Sequence, residues 1–130
     1  MRNSLSKVHV GLAWVTVAAV VAQFFFAGLG IFGAAGFGVH KTVGYLVIPV
    51  SLILLVLALA GRLGKVRIGL SALLLVLVIV QSMLPSGPAV IAAFHPVNAL
   101  AILAVVGNLV RLGKDDAPSP SARPAAGSVR

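Results

Sequence analysis

The sequence predicts an all-α integral membrane four-helix bundle. Three observations carry this. The chain of 130 residues is 60% hydrophobic and only 9% charged, whereas soluble domains carry about 25% charged residues. Such a chain cannot cover a water-facing globule, so its solvent is largely lipid. Its apolar residues also fall into four long runs, separated by glycine, proline and basic residues. The runs lack the alternation of barrel strands, and an open strand cannot satisfy its backbone in lipid.

The elements follow in order. Met1 to Lys7 is a short polar, basic lead. The first span takes about residues 8–32, long enough to cross at about 1.5 Å per residue. It is too long for a signal-peptide core and no clear cleavage site follows, so it reads as a retained helix. Gly30, Gly33, Gly36 and Gly38 make a loose turn. The second span takes about residues 40–61 and gives way to Arg62, Lys65 and Arg67. Pro49 inside it removes one backbone donor and predicts a kink. The third span, about residues 68–84, stops at Pro85, Gly87 and Pro88. The fourth, about residues 89–110, runs into Arg111 and Lys114. Pro96 suits a first helical turn, so the regular helix is expected to begin at His95, with residues 89–94 as an irregular lead-in. The bundle thus takes residues 1–114. The tail, residues 115–130, is rich in Pro, Ser and Ala and is expected to be disordered.

Charge sets the expected orientation. The net charge of +8 would point to nucleic acid in a soluble protein, but here the basic residues close apolar runs, which is membrane topology. With four spans, Arg2, Lys7, Arg62, Lys65, Arg67, Arg111 and Lys114 share one side and Lys41 alone lies on the other. The positive-inside rule then places both termini and the tail in the cytoplasm of a multi-pass plasma-membrane protein, with the bilayer as its main partner. The absence of cysteine excludes disulfides, thiolate metal sites and covalently attached haem. The chain has no glutamate, and its only acids, Asp115 and Asp116, lie beyond the last span. Proton-coupled transport and hydrolysis are therefore not indicated, and an enzyme is less expected than a binding protein.

The halves of the chain resemble each other. Gln23 in the first span matches Gln81 in the third. His40 opens the second span and His95 the fourth. Arg62-Leu63-Gly64-Lys65 follows the second, and Arg111-Leu112-Gly113-Lys114 the fourth. Two helical hairpins in the same orientation imply a pseudo-two-fold axis along the membrane normal. That axis brings His40 and His95 toward each other on the outer side.

Two imidazoles are what a low-spin b-type haem takes as axial ligands, and bundle cores hold such groups between facing helices. Gly44 and Ala99 each lie four residues after a histidine, on the same helix face, where a flat ring needs room. The candidate metal ligands are therefore His40 and His95, and the candidate cofactor-binding residues are these two with Gly44, Ala99 and Lys41, the last as a partner for a propionate. The plainer reading makes both histidines interfacial helix starts and Lys41 an interfacial anchor. Gln23 and Gln81 read as amides that bond across helices at about 0.6 kcal/mol each, or as lining of a cofactor or quinone pocket. Asn98, one turn after His95, reads as helix packing or as a residue that orients a ligand. His9 stands at the inner end without a histidine partner. Trp14 and Tyr45 read as packing or interface residues.

The motifs H-K-T-V-G at His40 and H-P-V-N-A at His95, after helices carrying Gln23 and Gln81, resemble one half of a haem A synthase. That family is built from two four-helix bundles with a histidine pair on the second and fourth helices of each, and membrane b-type cytochromes use related bundles. The resemblance covers about residues 8–112 and implies a bis-histidine haem b site. This chain has one bundle, and it has no outer cysteine pair and no outer glutamate, so haem oxygenation is not implied. It also resembles small four-helix bacterial membrane proteins of uncharacterised function. The expected function is b-type haem binding and electron transfer with a membrane redox partner. The alternative is a non-catalytic accessory or assembly subunit of a larger membrane complex.

Overall fold

The computed structural model describes residues 2–115, and the expected disordered tail lies almost wholly outside them. All regular structure among them is helical: α1 (Arg2–Ile31), α2 (Gly38–Ala60), α3 (Lys65–Met83), a 3-10 turn (Leu84–Ser86), a single turn α4 (Ala89–Ala92) and α5 (His95–Asp115). Four stretches are long and apolar enough to cross a membrane: Ser4–Ile31, Gly38–Ala60, Lys65–Ser86 and Ala89–Lys114. The chain is thus a multi-pass membrane protein. The regular part of the last span opens at His95, beside Pro96.

Two boundaries differ from the sequence expectation. α1 begins in the polar lead, where Ser6 accepts a hydrogen bond from Arg67 at 3.0 Å and so belongs to the bundle. α3 begins at Lys65 because Gly64, at φ 91°, turns the chain immediately before it. α2 continues through Pro49 from Gly38 to Ala60.

The helices form a square. α1 packs against α2 and α5, and α3 packs against the same two, so α1 faces α3 and α2 faces α5 across the diagonals. Leu54, Leu74, Val106 and Leu109 are fully buried at the centre, with Ala13 giving α1 a close approach. In lipid such a core gains from close packing and dispersion rather than from leaving water. The outer faces are apolar and open, as at Val15, Phe25, Val56 and Val76, which suits contact with acyl chains. Lys114 lies 5.1 Å over the Trp14 ring, within cation–π range. Gly113 lets α5 close onto Val10 of α1. The beginning of α1 and the end of α5 therefore share one end of the bundle.

Candidate haem site and inner polar cluster

The loop between α1 and α2 sets up the first histidine. Gly33 takes a left-handed conformation, φ 71°, at the turn. The Phe37 ring lies where a Gly30 Cβ would stand, 2.6 Å from its nearest ring atom, and meets the His40 ring edge-on at 6.2 Å. His40 then sits in the first turn of α2, and its Nδ1 lies 3.2 Å from the Gln23 backbone oxygen. In the second hairpin His95 opens α5, and its Nδ1 lies 3.1 Å from the Gln81 backbone oxygen. The sequence match between Gln23 and Gln81 is thus a match of backbone carbonyls, each taking the same bond from the next spanning helix.

These bonds fix the chemistry of both rings. A carbonyl oxygen only accepts, so Nδ1 donates in each case, and the neutral ring carries its lone pair on Nε2. Among the described residues neither Nε2 has a hydrogen-bond partner. The ring centroids lie 5.9 Å apart with planes inclined at 61°. Two imidazoles on opposite sides of one metal ion, each nitrogen about 2 Å from it, place their centroids about 6 Å apart.

The glutamine side chains differ between the halves. Gln23 Nε2 donates to the His40 carbonyl at 2.8 Å. That bond fixes the amide's orientation and leaves Oε1 buried without a partner. Gly44 makes room for it: a Cβ there would lie 2.7 Å from Gln23 Nε2. The space beside His40 that the sequence reserved for a flat ring is shared with this amide. In the other half the Asn98 amide takes over. Its Nδ2 donates to the Leu77 carbonyl at 2.9 Å and to Gln81 Oε1 at 2.7 Å.

His40, His95, Gln23, Gln81, Gly44 and Ala99 border one half-open cavity of about 160 Å³. Lys41 borders it as well and is exposed. An apolar cavity of about 150 Å³ holds benzene, so the cavity that the two histidines border is large enough for one small ring. A porphyrin is broader. Among the described residues no three His, Cys, Asp or Glu side chains cluster as ligands for a bare metal ion. Two ligands suit a metal that brings its remaining ligands with it.

The other diagonal carries a second polar group at the opposite end. His9 on α1 is fully buried. Its Nδ1 lies 3.2 Å from a guanidinium nitrogen of Arg67, and its Nε2 lies 3.2 Å from the Ser71 hydroxyl, both on α3. Arginine only donates, so Nδ1 accepts and Nε2–H donates to Ser71. The tautomer is the reverse of that at His40 and His95. Sequence reasoning counted Arg67 as an interfacial charge, yet it is buried. The missed signal is spacing: Arg67, Ser71, Leu74 and Val78 recur every three or four residues and form the buried stripe of α3.

No curated protein and no solved structure matches the chain. Nothing in these comparisons carries the resemblance to haem A synthases or b-type cytochromes. A family model matches residues 23–87, from Gln23 through His40 and Gln81, and stops before His95. The chain belongs to DUF6220, a family of unknown function.

Proposed function

We propose that the protein binds one b-type haem between α2 and α5, with His40 and His95 as axial ligands, and passes electrons within the membrane. The observation that carries this is the matched pair of rings: each Nδ1 is tied to a glutamine carbonyl, each Nε2 is unbonded, and the centroids are 5.9 Å apart. Metal-bound histidines commonly donate the second ring nitrogen to a carbonyl, which fixes tautomer and orientation. The absence of cysteine makes the attachment non-covalent. A haem held there supplies a one-electron redox centre.

The residues around the pair have defined tasks under this reading. Val20, Phe24 and Ile102 line the cavity with hydrocarbon and keep water from the centre. Ala99 leaves room on the face of α5, and Lys41 is placed to pair with an acidic edge of the ligand. Both termini face the cytoplasm of the plasma membrane and the histidine pair lies on the outer side, in line with the basic residues at the opposite end. A membrane redox partner would meet the protein at that outer end.

The direct test is the absorption spectrum of protein purified in detergent, with haem counted against protein. One low-spin haem b per chain supports the reading. Colourless protein that takes up no added haem and travels with a larger membrane complex overturns it in favour of an accessory subunit.

A further inference from the structure

The two histidines are held by different devices, and the difference assigns a task to Asn98. On the first hairpin the clamp is reciprocal: His40 donates to Gln23 and Gln23 donates back to His40. On the second, the Gln81 side chain makes no such return bond to His95 and accepts from Asn98 instead. Asn98 lies one turn after His95 on the same helix and spends one amide nitrogen on two α3 acceptors, the Leu77 carbonyl and Gln81 Oε1. Together with the His95–Gln81 bond, these contacts fix the rotation and height of α5 against α3 at the level of the ligand. The chain before His95 is only a single turn, α4, followed by Ala93 and Phe94, so it offers α5 little support from above.

We infer that Asn98 is the positioning residue for His95, holding its Nδ1–H on the Gln81 carbonyl and its Nε2 toward the cavity, whereas His40 is positioned by Gln23 and is independent of Asn98. The inference rests on the haem reading for its consequence in binding, but its geometry belongs to the protein without haem. Loss of a residue that orients a metal ligand commonly weakens metal affinity by about 10–100-fold.

The experiment uses full-length protein labelled with 15N-histidine in micelles, with and without added haem. Signals are assigned through His9→Ala, His40→Ala and His95→Ala. The haem-free parent should show His40 and His95 protonated at Nδ1 and His9 protonated at Nε2. Asn98→Leu should erase the single-tautomer signal of His95, leave that of His40 unchanged and weaken haem affinity about 10–100-fold. Asn98→Leu also strands Gln81 Oε1, so Asn98→Leu/Gln81→Leu removes both partners. The double variant should regain the parent's melting temperature while His95 stays unlocked and haem stays weak. A structural role alone would restore both together. The inference is overturned if Asn98→Leu keeps the His95 tautomer, or if His40 changes as much as His95. A parent that binds no haem yet shows these signals defeats the haem reading and leaves Asn98 as the residue that orients His95.

Discussion

His40 and His95 sit on helices that face each other across a diagonal of the bundle, and their rings meet with centroids 5.9 Å apart. The contact crosses one diagonal of the bundle near one end. His9 and Ser71 cross the other diagonal near the opposite end, 3.2 Å apart. Among the described residues one end therefore carries a histidine ring contact across its diagonal and the other a histidine hydrogen bond, and the histidines at the two ends carry opposite tautomers.

The axial pair gives the first prediction. His40→Ala and His95→Ala should each abolish or strongly perturb a low-spin haem spectrum, because each would remove one of two iron bonds. His9→Ala should leave the spectrum intact, since His9 is at the far end and buried by Arg67 and Ser71. Absorption and electron paramagnetic resonance spectra decide the matter. Three variants that behave alike would falsify the assignment.

Space beside the ligands gives the second. Ala99→Leu places a branched side chain at the cavity and should lower haem occupancy at least about tenfold with little loss of stability in the haem-free protein. Gly44→Leu should lower haem occupancy and also destabilise the haem-free protein, because its Cβ alone would meet the Gln23 amide at 2.7 Å. Haem titration with a thermal melt of each haem-free variant separates the effects. Equal haem affinity in Ala99→Leu and parent would argue against a ring in this cavity.

The inner bridge gives the third. Arg67→Leu removes the donor to His9 Nδ1 and leaves a buried acceptor unmet, at a cost of about 1–3 kcal/mol. Arg67→Leu/His9→Leu should recover most of that, since the stranded imidazole acceptor is gone, while the Ser6 and Ser71 hydroxyls that lose their partners sit on helices whose carbonyls can take them up. The haem spectrum should not change in either. Melting temperatures in one detergent provide the measure, and a double variant worse than the single one contradicts the hydrogen-bond account.

Orientation gives the fourth. The basic residues at the end shared by both described termini predict that a reporter fused to the C-terminus lies in the cytoplasm. A reporter inserted between Ser86 and Gly87 should lie outside. The same location for both would contradict the single span, Ala89–Lys114, between that loop and the C-terminus.

The sequence by itself determined the helices and their number, because lipid leaves a backbone few other ways to satisfy its own polar groups. It also determined the histidine pair as a candidate, through the match of Gln23 with Gln81 and of His40 with His95, and the start of α5 through Pro96. The basic residues that follow the second and fourth spans are not equivalent in the helices: Arg62 lies beyond the end of α2, whereas Arg111 is still inside α5. Only tertiary structure decided which atoms of Gln23 and Gln81 matter, since a backbone carbonyl carries no residue identity. It also decided that Arg67 turns inward and that Gly44 serves an amide on α1. Those outcomes depend on which neighbour occupies each face of a helix, and apolar spans that all face lipid on one side look alike until they are packed.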